Sequence, residues 1–161
     1  MCGINGLITN KSNININEAL NKMNDKIIHR GPDSQGVFSY NKNGINIGIG
    51  MRRLSIIDIE SGNQPIFSDN QNLILVFNGE IYNYLELKKQ LIEEFDINFK
   101  TSSDTEVIIH LYDKYGVKSF SMLDGMFAFS LVDKKKNKIF IARDFFGEKP
   151  LYYIKDDNTI I

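Results

Sequence analysis

The chain has 161 residues, 42% of them hydrophobic, 24% charged and 11% aromatic, with a formal net charge of -1. That size and balance suit one domain with its own core and exclude a disordered chain, while the near-zero charge excludes the basic stripe that nucleic acid binding requires. The apolar runs are strand-sized, short of the roughly 20 residues a membrane helix needs, so no membrane partner is expected.

The N-terminus lacks a basic segment followed by an apolar one, so no signal peptide and a cytoplasmic location are expected. One cysteine leaves no disulfide framework and no multi-Cys zinc pattern. His29 and His110 carry no acidic or thiol partner at ligand spacing, so no metal site is expected.

Taken in chain order, Cys2 to Ile8 is short, apolar and punctuated by glycine, which predicts a strand packed against another backbone, with position 2 near a sheet edge. From Ile16 to Ile28 the apolar residues Leu20, Met23 and Ile27 recur at helical spacing, and Arg30-Gly31-Pro32-Asp33 stops the helix. Gly36–Tyr40 and Ile45–Leu54 read as a hairpin across Asn41-Lys42-Asn43-Gly44, with Ile45, Ile47, Ile49 and Met51 on one face and Arg52 or Arg53 at the strand end.

A polar stretch from Asp58 to Asn72 reads as loop. Leu73–Phe77 then reads as a buried strand ended by an Asn78-Gly79 turn. A second helix from Tyr82 to Phe95 places Tyr84, Leu87, Leu91 and Phe95 together, and a third from Asp104 to Tyr115 opens on a Ser103–Glu106 capping box. Met126–Asp133 and Lys138–Arg143 form a lysine-tipped hairpin, followed by a short strand at Leu151–Ile154. Strands apolar on both faces, such as that around Phe127–Val132, imply sheets covered on each side, hence an α+β fold with layered helix–sheet–sheet–helix architecture.

The chemistry centres on Cys2. Removal of Met1 would leave a thiol and a free α-amine on one residue, and with ordinary pKa values of about 8.5 and about 7.7–8.0 the amine can take the thiol proton near neutral pH. Attack on a carboxamide makes an oxyanion that needs fixed donors, and the Asn78 side chain with the Gly79 N–H could supply them, although Asn-Gly is also an ordinary turn. An amino-acid substrate needs a guanidinium and a carboxylate. Arg53 and Asp104 are candidates, against the simpler readings of a strand-end cation and a helix-dipole partner.

The chain resembles the glutaminase domain of asparagine synthetases, class II glutamine amidotransferases of the N-terminal-nucleophile hydrolase group. The stretches that carry the likeness are Met1-Cys2-Gly3-Ile4, Arg30-Gly31-Pro32-Asp33, Arg53 to Asp58, Gln64-Pro65, Asn78 to Asn83, Ser103-Asp104, Leu123 to Phe129, and Arg143-Asp144 through Gly147 to Tyr153. The resemblance implies a four-layer αββα sandwich of two mainly antiparallel sheets. It implies Cys2 as nucleophile, Asn78 and Gly79 as oxyanion hole, and Arg53 and Asp104 as holders of the glutamine carboxylate and ammonium. It also implies that Leu54, Ser55, Ile56, Ile57 and Glu80 line the L-glutamine site.

Pro32 favours the asparagine-synthetase branch over the sugar-phosphate and purine-pathway relatives. Where many members have Gly-Ser-Asp this chain has Ser102-Ser103-Asp104, which would tighten that turn. By the same resemblance residues 1–161 are the glutaminase domain, needing no cofactor. ATP and Mg2+ belong to a C-terminal synthetase domain whose Ser-Gly-Gly-rich loop is not in these residues. That domain is the expected partner, and a homodimer is compatible with the likeness. The alternative readings are a non-catalytic glutamine-binding regulatory module and a structural or redox domain with an incidental thiol.

Overall fold

A computed structural model describes residues 2–55 and 62–161. Two four-stranded antiparallel sheets stack face to face with helices on their outer faces, the αββα sandwich expected from the sequence.

In the first sheet, with order β2-β3-β1-β8, β1 (Gly3–Thr9) runs between β3 (Ile45–Arg53) and the two-residue β8 (Thr159–Ile160). β2 (Ser34–Lys42) forms the hairpin with β3 across the two-residue Asn43-Gly44 turn. α1 (Ile16–Lys26), capped by Asn15, covers the outer face with Leu20 fully buried, and a 3-10 turn at Ile28–Arg30 leads into the following loop.

The second sheet has the order β4-β5-β6-β7, from β4 (Ile66–Phe67), β5 (Leu73–Ile81), β6 (Gly125–Asp133) and β7 (Lys138–Arg143). α2 (Tyr84–Phe95) and α3 (Asp104–Tyr115) cover it. Side chains alternate along β5. Leu73, Leu75, Phe77 and Ile81 join the core under the helices, while Ile74 and Val76 meet Ile49 and Met51 between the sheets. No helix among the described residues is long and apolar enough to cross a membrane.

Four expectations change. The stretch read as loop contains β4, because Ile66 and Phe67 pair with Leu75 and Ile74 of β5. Asn78-Gly79 is not a turn: β5 continues through both to Ile81, because pairing with Ala128 and Phe127 of β6 overrides the local turn signal. Leu151–Ile154 is no strand; the C-terminal pairing is made by Thr159 and Ile160 against Ile8 and Thr9, with Ile154 bonded back to Ile161. The capping box forms only by half. Ser103 Oγ accepts from Thr105 N, but Glu106 turns to Lys100 and Thr101, and Ser103 N donates to Thr101 Oγ1 instead.

Candidate active site

The site forms where the second sheet runs out of strand. β4 covers only Ile74 and Leu75 of β5, so the outer edge of β5 must find other partners farther along. N–H groups two residues apart point to the same edge. Phe77 N donates to Gln64 Oε1 at 2.6 Å and Ile81 N donates to Asp104 Oδ2 at 2.9 Å. The Gly79 N–H lies between them in the same parity.

Gly79 exchanges no bond with β6, because its partner Phe127 gives both backbone groups to Asp144 on the far side. Its N–H therefore faces a cleft of about 210 Å³ lined by Cys2, Arg53, Gln64, Asn78, Gly79 and Asp104. A side chain at 79 would be driven into the Met126 carbonyl and within 2.6 Å of Phe127 Cα, so only glycine lets β5 and β6 close here.

Asn78 follows Ile74 and Val76 on the face between the sheets. It is 5% exposed, yet its amide makes no hydrogen bond to a described residue. Buried amides ordinarily have partners, so this one is available to whatever enters the cleft.

Cys2 approaches from the other sheet, packed against the inter-sheet core. Its Sγ accepts from Leu54 N at 3.4 Å and lies 3.7 Å from Leu54 O, while Arg30 Nη2 reaches the Cys2 carbonyl at 3.5 Å. The sulfur is held at the mouth of β3, half-buried, and lines the same cleft as Asn78 from the other sheet.

The two arginines separate by strand parity. Arg53 lies on the inner face with Ile49 and Met51, lines the cleft and donates to Asn63 Oδ1 at 3.2 Å. Arg52 points outward and clamps the preceding loop, donating to Gly31 O at 2.8 Å, Gln35 Oε1 at 3.1 Å and Pro32 O at 3.3 Å. Leu54 and Glu80 line the cleft; Ser55 instead donates its N–H to Asp33 Oδ2 at 2.7 Å. Ile56 and Ile57 lie outside the described residues.

Asp104 begins α3 and is buried, which pushes its carboxyl up; the Ile81 N–H opposes that, and Glu80 adds to it. A buried carboxylate in this state gains from a cation. Glu106 fixes the loop before it, accepting from Lys100 N at 2.9 Å, Thr101 N at 2.7 Å and Thr101 Oγ1 at 2.7 Å, with His110 Nε2 at 3.3 Å. His110 thus does have an acidic partner, one helical turn back. Among the described residues no group of three His, Cys, Asp or Glu side chains could hold a metal.

Among the cleft residues to which the sequence assigned no role are Gln64, brought in by the turn before β4, and Lys149, buried beside Met126. Both come from loops whose role depends on distant strands, so the stretches that carry the family likeness included them without giving them a role. A second, larger and apolar groove of about 530 Å³ also starts at Cys2 and Asn78 and runs along β1 to Pro150–Ile154.

The description glutamine amidotransferase domain matches the chain over residues 1–161. A Methanocaldococcus jannaschii protein with an asparagine synthetase (glutamine-hydrolyzing) name is 46% identical over 176 residues, covering 100% of this chain and 33% of its own length. Asparagine synthetase [glutamine-hydrolyzing] 1 of Bacillus subtilis is 44% identical over 156 residues, covering 95% of this chain and 24% of that protein. The chain therefore spans a third or less of the curated relatives it matches. Among solved structures, the B. subtilis glutamine phosphoribosylpyrophosphate amidotransferase complexed with ADP and GMP superimposes with a TM-score of 0.58 at 32% identity, covering 71% of this chain and 27% of that one.

Proposed function

The chain belongs to the glutamine amidotransferase domain family, and on that premise we propose that it hydrolyses L-glutamine to glutamate and ammonia with Cys2 as nucleophile. The observation that carries the reading is the convergence on one cleft of the Cys2 sulfur, the Asn78 amide, which bonds to no described residue, and the free-edge Gly79 N–H.

In this reading Arg53 takes the substrate carboxylate and Asp104 its ammonium, which leaves the side-chain amide toward Cys2. The α-amine, freed by loss of Met1, takes the thiol proton as sulfur bonds to the amide carbon, and Asn78 and Gly79 hold the oxygen's negative charge. The carbon–nitrogen bond breaks as the proton passes to the leaving nitrogen, giving ammonia and a γ-glutamyl thioester. Water then attacks the thioester, releasing glutamate and restoring the thiol. Leu54 orients the sulfur through its N–H, and Glu80 sits at the cleft rim.

The ammonia would serve ATP-dependent amide synthesis in a synthetase domain of the same polypeptide, with asparagine from aspartate first among the acceptors and with ATP and Mg2+ bound outside these residues. Support comes from the relatives' greater length and from apolar surface near the second groove. Tyr152, 88% exposed, lines that groove, and the paired rings of Phe145 and Phe146 are 94% and 83% exposed, aromatic surface that suits burial against another domain. A cytoplasmic site goes with this reading.

The test is a glutaminase assay on protein whose N-terminus has been verified by mass, alongside Cys2→Ala. Hydrolysis should vanish in the variant while glutamine still binds. Hydrolysis at the wild-type rate without the thiol would overturn the mechanism. Binding without turnover in wild type would favour a regulatory module.

A further inference from the structure

We propose that Lys149 is a charge-stabilising residue of the cleft, its ammonium favouring the negative charge that develops at the substrate's γ-carbon end. The inference rests on the glutaminase reading of the cleft and extends it to a residue outside the Cys2, Asn78, Gly79, Arg53 and Asp104 set.

Lysine is rarely fully buried, because desolvating an ammonium is costly. Here Lys149 is 5% exposed and lines the same cleft as Cys2, Asn78 and Gly79. Its backbone is fixed by Asp144, whose carboxylate accepts from Lys149 N at 3.0 Å, Glu148 N at 2.9 Å and Phe127 N at 3.1 Å. Burial works against that carboxylate, yet these donors hold its pKa below the usual range. The loop is thereby tied to β6 at the residue opposite Gly79.

The side chain is placed as firmly as the loop. Among its contacts, Nζ lies 3.0 Å from Met126 Sδ. Met126 pairs with Glu80, and Ala128 with Asn78, so Met126 and Asn78 share the inner face of the sheet. This places Lys149 on the wall that carries the reaction centre, whereas Asp104 holds the opposite side of the β5 edge. Among the described residues, the other charged groups around the cleft are Arg53 from β3, Glu80 from β5 and Asp104 from α3, with Arg30 behind Cys2.

Asn78 and Gly79 are neutral donors. A cation on their wall acts on net charge: it discriminates an oxyanion, or the γ-carboxylate of glutamate, from a neutral amide. A packing role for the same side chain would not make that distinction.

Lys149→Met keeps length and apolar stem and removes the charge together with the Nζ donors, and Lys149→Arg restores both. In the assay, Lys149→Met should lower kcat about ten-fold or more with KM for glutamine within about three-fold, and Lys149→Arg should recover part of the loss. In a Cys2→Ala background, calorimetry should show glutamate binding weakened about ten-fold by Lys149→Met and glutamine binding barely changed. Equal losses for both ligands, or none for either, would overturn the inference. Circular dichroism checks folding; should Lys149→Met unfold, Lys149→Gln carries the same comparison. If wild type neither binds nor hydrolyses glutamine, the reading of the cleft fails first; if it does both and the lysine variants are silent, only the Lys149 inference fails.

Discussion

The Ile81 N–H donates to Asp104 Oδ2, so the last unpaired amide of β5 is capped by the carboxylate that opens α3. One contact closes the sheet edge and fixes a buried anion at the end of the cleft. Because burial raises the Asp104 carboxyl, the folded state holds its proton to higher pH than the unfolded chain does. Its contribution to stability is therefore greatest below the unfolded pKa and declines as pH rises through the folded one.

Asp104→Asn should accordingly melt above wild type at pH 7, with the gap closing toward pH 4, while kcat/KM for glutamine falls about 100-fold. Thermal melts across pH together with steady-state kinetics check both. A variant less stable at pH 7 with unchanged kinetics would make Asp104 a structural cap alone.

Asn78→Ala removes an amide that bonds to no described residue, so it leaves no orphaned partner behind. The expected loss is catalytic: kcat down about 10²–10³-fold, KM nearly constant and stability within about 1 kcal/mol of wild type. Gly79→Ala should behave oppositely, because the added methyl meets β6 backbone. It is expected to unfold or melt far lower. Urea unfolding and kinetics on the pair separate the two roles.

Arg52→Met and Arg53→Met should part in the same way. Arg52 satisfies Gly31 O, Pro32 O and Gln35, and its loss strips the charged donor from the buried Gly31 carbonyl and from two more exposed acceptors, at a cost of about 3 kcal/mol. For a chain of this size that lowers Tm by about 6–12 °C. Arg53→Met should instead raise KM for glutamine by about ten-fold or more. Equal effects on KM would remove the division.

The alternation Ile45, Ile47, Ile49, Met51 was legible, and the strand period carries it on to Arg53 on the inner face, although the pattern alone left Arg52 and Arg53 both open as the strand end. The helices were equally legible from their apolar spacing. What stayed hidden depends on partners distant in sequence. Asn78-Gly79 carries a turn signature, and only the register with Ala128 and Phe127 makes it a strand. β8 is two residues long and has no period to read. Gln64 and Lys149 reach the cleft through loops tied to Phe77 and Asp144, contacts that no local pattern announces.

Glu106 supports the site from behind. Burial opposes its charge, but the His110 ring, the Lys100 and Thr101 N–H groups and the Thr101 hydroxyl outweigh that and bring its pKa from 4.5 to about 2. A carboxyl depressed in the folded state stabilises fully above its unfolded pKa and loses that contribution as pH falls through the folded one. Glu106→Gln should therefore cost about 2 kcal/mol at pH 7, and the gap to wild type should narrow between pH 4.5 and pH 2. The same carboxylate fixes residues 100 and 101, and Thr101 Oγ1 in turn holds Ser103 N, the cap beside Asp104. Loosening it should raise KM for glutamine several-fold with kcat little changed, since Cys2 and Asn78 stand on other elements. A pH-independent stability gap would show that Glu106 acts through packing rather than charge, and an unchanged KM would detach it from Asp104.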